Sequence, residues 1–289
     1  MRCFNPFCSH KSHQSGPTCQ RCGQNLKIGS RFAEEPLAEG SLGKLYLLQG
    51  EPNTVSVLKT PNSSVLENRQ ALPLQNLSLR QEAATLQSLG TWPGCPRFEH
   101  FGQREEWHYL IEEYIDGPTL KEAAGVVSLR EPELWALLDA LLELLEHLAR
   151  QSIVLRDIKP DNLILTGIPD RPVVLIDWGL ASLLSENWEP RLGNPDYVAP
   201  EVLEGRSSLK SDLYSTGKLM IYLLLLTSHE VSPRWSSHVP HLSNRLIEAI
   251  NHLWLHRKVP NAREFRETFI PAAYRSQGQT LARIAGDCW

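Results

Sequence analysis

The stretch VLRDIKPDNLIL, residues 154–165, constrains the chain more than any other. Arg156, Asp157, Lys159 and Asp161, with Pro160 among them, are strung between the apolar ends Val154-Leu155 and Leu163-Ile164-Leu165. Asp-Asn beside proline is ordinary turn chemistry, so the knot reads as a solvated turn between a helix and a strand. It reads equally as a loop whose charges face a ligand while its flanks are anchored in a core. The rest of the chain decides between the two.

With 289 residues the chain has room for one large domain or two ordinary ones. An apolar content of 42% and a charged content of 21% are globular values. Lys+Arg 29 against Asp+Glu 33 gives a net charge of −4, which removes any bulk electrostatic case for nucleic acid or an anionic membrane. The opening MRCFNPFCSHKSHQ lacks an apolar core of the kind a secretory signal needs. Of the two greasiest runs, LWALLDALLELLEHLA is interrupted by Asp139, Glu143 and Glu146, and LMIYLLLL falls short of the ~20 residues of a membrane span. Both read as buried helices, and the expected location is the cytoplasm, with no membrane contact.

Four of the six cysteines, Cys3, Cys8, Cys19 and Cys22, fall in the first 22 residues. This segment has almost no aliphatic residues, and so short a piece needs a staple. CQRCG is a tight turn that presents two thiolates to one ion, and CFNPFC supplies a wider second pair. Two such pairs suit a tetrahedral zinc ion in a closed structural site, whose binding supplies ~10–16 kcal/mol of folding energy. His10 and His13 are alternative ligands but read as solvated loop residues; iron, or two disulfides, stay open as minor alternatives.

From Phe32 to Ile115 the texture is β-like with one helix. KLYLL, TVSVLK and WHYLIEEYI are strand candidates, and LRQEAATLQSL has helical spacing at Leu79, Ala83, Leu86 and Leu89. After DGPTL the pattern turns helical: ELWALLDALLELLEHLARQ is one long buried helix, and SDLYSTGKLMIYLLLL another that starts near Ser211 or Asp212. Between them lie the knot and two short strands, NLILT and VVLID. A small sheet-rich lobe followed by a larger helical one, with a cleft at the join, is the natural parse.

The polar signals now form an ordered set: Gly40 and Gly43 in LAEGSLGKLYLL, Lys59 ending TVSVLK, Glu82 in the following helix, Asp157 and Asn162 in the knot, Asp177 in DWG, then GNPDYVAPE and SDLYSTG. In order and spacing this set resembles the eukaryotic-type Ser/Thr protein kinase family over roughly residues 37 to 270. With CFNPFC and CQRCG it is similar to the cyanobacterial kinases that carry an N-terminal four-cysteine motif. The resemblance implies an α+β, bilobal protein-kinase-like fold, with a small β-rich N-lobe (29–115) and a larger α-helical C-lobe (116–275). A zinc-ribbon-like segment (1–28) precedes them and a tail (276–289) follows.

It implies equally that the chain moves the γ-phosphoryl group of ATP to Ser or Thr hydroxyls of protein substrates, with Mg²⁺ or Mn²⁺. Gly40 and Gly43 would let backbone amides approach the phosphates, Lys59 would charge-pair with them, and Glu82 would hold Lys59. Asp157 would accept the proton of the substrate hydroxyl or orient it, and Lys159 would neutralise the transferring group. Asn162 and Asp177 would bind Mg²⁺, while Glu113, Tyr114 and Ile115 would offer their backbone to adenine. Asp212 would cap a helix and tie the catalytic loop.

Departures from the family pattern sharpen the expectations. Leu155 stands for the usual His and would pack on Trp178; Ala38 replaces the first loop glycine, a mild change; Asn194 replaces a Thr. Glu112 lies just before the adenine-binding stretch, where burial raises a carboxylate pKa by up to ~3–5 units unless it is paired. It must reach water or capture a cation such as Lys59, at the expense of nucleotide binding. Val259 replaces the Arg that pairs with Glu201, for which Arg257 or Arg263 would substitute. Arg156 is of the type that clamps a phosphorylated loop; with only Ser182, Ser185 and Tyr197 to modify, Glu186 or Glu189 would supply a fixed charge instead. Two other readings remain. One is a pseudokinase scaffold, favoured by Leu155, Glu112 and Val259. The other is a zinc-ribbon nucleic-acid binder, weakened because Phe4 and Phe7 are the ribbon's main stacking surface. A partner protein docking on the ribbon fits better than nucleic acid.

Overall fold

The computed structural model describes residues 1–8, 16–40, 43–50, 54–183, 194–226, 234–256 and 261–288. The chain divides into two compact units, Met1–Trp92 with Pro96–Tyr114, and Pro93–Cys95 with Ile115–Trp289.

The N-terminal unit is built on an antiparallel six-stranded sheet of β1 (Lys27–Ile28), β2 (Arg31–Glu39), β3 (Lys44–Gly50), β4 (Thr54–Thr60), β5 (Phe98–Arg104) and β6 (Trp107–Glu113). The order across the sheet is β1-β2-β3-β4-β6-β5. The three strands anticipated from their β-branched and aromatic content are all present, since such side chains pack well on a pleated surface. Helix α1 (Leu72–Leu89) packs on β5 and β6 and buries Leu79, Ala83, Leu86 and Leu89, the stripe its spacing announces. It begins seven residues before that stripe, because Pro73 falls in the first turn, where its missing N–H has no intrahelical partner to lose. Beneath the sheet Leu48, Leu58, Val65, Leu72, Trp107 and Ile111 form one apolar cluster, and Phe4 from the cysteine segment is fully buried within it.

The C-terminal unit is mainly helical: α2 (Leu120–Val126), α3 (Glu131–Arg150), α4 (Pro200–Leu203), α5 (Leu209–Leu225), α6 (Asn244–Asn251), α7 (Ala262–Phe269) and α8 (Gly278–Asp287). Helix α3 buries Leu134, Leu137, Leu138, Leu141, Leu142, Leu145 and Leu148 against partners that include α5, α7 and α8. Its buried Asp139 is neutralised by Arg266, at 2.5 and 3.0 Å. Helix α5 starts before the position anticipated at Ser211 or Asp212: Ser208 is the cap, and its N–H is returned to the Ser211 hydroxyl at 3.1 Å. Two short antiparallel pairs complete the unit, β8 (Leu163–Leu165) with β9 (Val173–Leu175) and β7 (Ile153–Val154) with β10 (Ser182–Leu183). Gly117, at φ +141°, passes so close to β8 that an added Cβ would lie 2.0 Å from the Leu165 carbonyl oxygen. Among the described residues no helix is long and apolar enough to cross a membrane.

Candidate functional site

In the N-terminal unit, β2 and β3 form a hairpin whose turn carries Gly40 and Gly43, with the Gly40 N–H on the Gly43 carbonyl at 2.8 Å. A Cβ on Gly43 would press to 3.1 Å from the Thr60 carbonyl oxygen, so glycine there lets the turn lie close to the end of β4 without pushing it away. On β4, Lys59 lies between Leu45 and Leu110 in the ladder. Its Nζ meets Glu82 Oε1 from α1 at 2.5 Å and Glu112 Oε1 from β6 at 2.9 Å. Lys59, Glu82 and Glu112 are 6%, 3% and 2% exposed, so this is one ammonium between two carboxylates in a dry interior. The cation demanded by a buried Glu112 is therefore Lys59. At the end of β6 the Glu113 N–H donates to the Arg97 carbonyl at 3.0 Å, and its carboxylate accepts from the Arg97 N–H at 3.0 Å.

In the C-terminal unit the polar knot is anchored as its apolar ends require: Val154, Leu155, Leu163, Ile164 and Leu165 are all buried. Asp212 of α5 receives the Leu155 N–H at 2.8 Å and the Arg156 N–H at 2.9 Å. These bonds hold Arg156 at φ 66°, a left-handed conformation that side chains other than glycine adopt at a cost. Burial pushes the Asp212 carboxyl up to about 6, against the pull of those two N–H groups and the Arg156 charge. Asp212→Ala would leave both N–H groups buried without that acceptor, and a loss of ~2–5 kcal/mol is expected in a denaturant titration. An unchanged midpoint and slope would refute that role.

Within the knot Asp157 Oδ2 accepts from Lys159 Nζ at 2.6 Å and from Asn162 Nδ2 at 2.8 Å, and Asn162 Nδ2 also reaches the Asp157 carbonyl at 3.0 Å. Burial raises the Asp157 carboxyl above its ordinary range, the Asp177 charge adding to it and Lys159 and Asn162 opposing. Asp177 itself is exposed and accepts the Gly179 N–H at 3.1 Å. Asp161 is engaged by Lys121 at 2.7 Å, a partner 40 residues away that no local pattern announces. Trp178 is fully buried and donates its indole N–H to the Leu175 carbonyl at 2.8 Å.

Several expectations are redirected. The Arg156 guanidinium, in the interior, bonds Ser182 Oγ at 2.6 Å, the Leu180 carbonyl at 3.1 Å and Ser207 Oγ at 2.9 Å. Glu186 and Glu189 lie outside the described residues, as do Ser185, Arg257 and Val259. Arg263 does not take over the missing arginine's part, because its Nε is bonded to Glu146 at 2.8 Å, while Glu201 accepts from Ser211 at 3.1 Å. Asn194 turns its side chain to the Asp196 N–H at 3.0 Å.

The four N-terminal thiols form a separate constellation. Cys3 and Cys22 Sγ are 3.7 Å apart, Cys8 and Cys19 Sγ are 3.9 Å apart, and all four lie within 4.8 Å of one another with no disulfide among them. Tetrahedral zinc with Zn–S bonds of ~2.3 Å needs sulfurs ~3.8 Å apart, so the donor set fits that ion in number, type and size. Burial, and then the nearby Cys22 and Cys8, push the Cys3 thiol far up. His10 and His13 lie outside the described residues. The cysteine segment is stitched to the sheet. The Arg2 N–H reaches the Ala33 carbonyl at 2.7 Å, and the Arg104 guanidinium lies 4.8 Å over the Phe4 ring while bonding the Asn25 and Lys27 carbonyls at 2.6 and 2.5 Å. Phe7 sits under Arg69 at 4.7 Å. With Phe4 in the core, the stacking surface that a nucleic-acid reading needs is occupied.

Comparison with known proteins agrees with these features. A family model described as the protein kinase domain matches residues 33–271. Serine/threonine-protein kinase B of Synechocystis is 28% identical over 96% of this chain and 50% of its own length. Serine/threonine-protein kinase C of the same organism is 32% identical over 75% of this chain and 44% of its own, and PknA of Nostoc is 32% identical over 65% and 36%. The chain thus spans half or less of the length of these curated relatives. A glycine turn, a lysine paired with a helix glutamate, and an Asp-Lys-Asn knot whose loop is held by a helix aspartate, all inside the matched residues, place this chain in the protein kinase domain family.

Proposed function

We propose that this chain transfers the γ-phosphoryl group of ATP to Ser or Thr hydroxyls of proteins, with Mg²⁺. The observation that carries this reading is the Asp157–Lys159–Asn162 cluster, a carboxylate with two nitrogen partners within 2.8 Å in a fixed loop. An aspartate so held is oriented to take the proton of, or align, an incoming hydroxyl. Lys159, 22% exposed at its side chain, keeps its charge near the place where phosphoryl charge develops. Asn162 and Asp177 offer the hard oxygens that Mg²⁺ prefers, and bound Mg²⁺ would neutralise nucleotide phosphate charge. In the N-terminal unit, Gly40 and Gly43 would admit phosphates to backbone N–H groups, and Lys59, held by Glu82, would bind them. Glu113 and Ile115 would offer main-chain groups to adenine. The four cysteines would hold zinc in a structural role, and a protein partner of that segment remains our reading of its surface.

The test is transfer of labelled γ-phosphate from ATP-Mg²⁺ to the protein itself and to basic protein substrates, zinc-loaded wild type beside Asp157→Asn. Label on Ser or Thr in the wild type alone supports the kinase; equal label in both marks a contaminant. No label in the wild type despite measured nucleotide binding returns the pseudokinase reading.

The Lys59–Glu112 pair gives a further expectation. Glu112 holds part of the Lys59 charge that phosphates would use, so Glu112→Leu is expected to tighten ATP binding about tenfold, or ~1.4 kcal/mol. Titration calorimetry decides the point, and weaker binding by the variant would show that Glu112 supports Lys59 instead of competing for it.

A further inference from the structure

A second polar network in the N-terminal unit touches none of the motif residues except at the base of the glycine turn. Asn62 follows β4 and is three residues beyond Lys59. Its Nδ2 donates to the Gly40 carbonyl at 2.5 Å. Its own N–H donates to Gln75 Oε1 at 2.8 Å, and Gln75 Nε2 returns a bond to Asn62 Oδ1 at 2.9 Å. Two amides thus lock to each other, and both are in the interior, Asn62 at 6% and Gln75 at 2% exposure. Asn62 Oδ1 also accepts the Ser64 N–H at 3.0 Å, fixing the start of the helical turn Ser63–Leu66. Beside it Glu39, the residue before Gly40, accepts from the Ser63 N–H at 2.9 Å, the Ser63 hydroxyl at 2.5 Å and Lys44 Nζ at 2.8 Å. Partial burial works the other way, but bonds from Lys44 and Ser63 hold the Glu39 carboxyl at about 2, so this clamp stays charged at any ordinary pH.

Gln75 lies on α1 seven residues before Glu82, which is two turns along the same buried face. A helix is stiff over two turns, so whatever fixes Gln75 also fixes the height and rotation of Glu82. Burying two primary amides in an apolar interior is unfavourable unless they are bonded, and apolar residues of the same size would pack there more simply. The arrangement earns its place by what it connects: the glycine turn at one end, the Glu82 helix at the other, and the end of β4 between them.

We propose that Asn62 is a positioning residue that ties the glycine turn to α1, so that the seat of the nucleotide phosphates and the Lys59–Glu82 pair are set as one unit. This rests on the kinase reading above. Asn62 touches no reacting atom; it acts through the Gly40 carbonyl on one side and Gln75 on the other.

The test separates phosphate seating from general stability by comparing affinity for ATP-Mg²⁺ with affinity for adenosine, which lacks the phosphates. Asn62→Ala removes the whole link, and Asn62→Asp keeps the oxygens for Ser64 and Gln75 while deleting the donor to Gly40. Titration calorimetry on the full zinc-loaded chain is expected to show ATP weakened roughly three- to tenfold in both variants, as one hydrogen bond is worth, with adenosine changed less than twofold. Equal losses for ATP and adenosine, or no loss for either in the Asp variant, overturn the proposal and leave the kinase reading standing. If wild type binds neither ligand, the kinase reading falls and takes the proposal with it.

Discussion

Asp157→Asn is expected to lower the phosphoryl-transfer rate about 10²–10⁴-fold, the range that a positioned acid or base contributes. The substitution is nearly isosteric, and an asparagine carbonyl can still accept from Lys159 and Asn162, which bond the native carboxylate at 2.6 and 2.8 Å. The anchors of the loop lie elsewhere, in buried Val154, Leu155 and Leu163 and in the two N–H bonds to Asp212. The fold is therefore expected to survive while the group proposed to take or align the hydroxyl proton is lost. Initial rates with saturating ATP-Mg²⁺, beside a thermal melt, measure both halves of this statement. A rate within tenfold of wild type would mean that Asp157 is a structural member of the knot and that another group meets the hydroxyl.

Removing the metal from the four cysteines is expected to have the largest effect on stability. Zinc bound by a thiolate set of this kind contributes ~10–16 kcal/mol near neutral pH, as much as the whole stability of an ordinary domain, ~5–15 kcal/mol. Here that energy is not spent on an isolated bead. Cys3 and Cys8 bracket Phe4 and Phe7, so the residues that would grip the ion also seat Phe4 in the cluster with Leu58, Val65 and Trp107. Releasing a phenylalanine from such a core costs ~3–5 kcal/mol, which at this size is roughly 10–20 °C in thermal midpoint. A chelator, or Cys19→Ser, should therefore lower the melting of the N-terminal unit by at least as much as Phe4→Ala does with metal present. One equivalent of zinc should be released with the transition. Metal-free protein that melts like the holo form would make the cysteines a bystander.

What could be read from the residues, and what could not, divides along a physical line. The strands, the buried face of α1 and the knot were legible because they depend on local periodicity or on ion chemistry that few residue sets can perform. The partner of Glu112 was legible for a different reason: a carboxylate in the interior needs a cation, and Lys59 was the nearest in the pattern. That the two actually meet follows from register, which sets Val57 opposite Glu112 and Lys59 opposite Leu110 and is not written in either strand alone. The early start of α1 was hidden because Gln75 and Asn76 break its apolar stripe. The depth of Phe4 was hidden because the first segment looked too small to have a core; it borrows one from the sheet. The partners of Arg156, Ser182 and Ser207, lie 26 and 51 residues away and carry no signal beyond being hydroxyls.

The stitching of the cysteine segment to β2 has a consequence for how the protein is made. Lys27 and Ile28 pair with Phe32 and Arg31, and the Arg2 N–H occupies the Ala33 carbonyl. Together they cover the start of the outermost long strand, whose main-chain groups would otherwise be open to another chain. Uncovered strand edges are templates for intermolecular pairing. A newly synthesised chain short of metal would thus leave this margin open, and zinc held by the four cysteines would act as a chaperone for it.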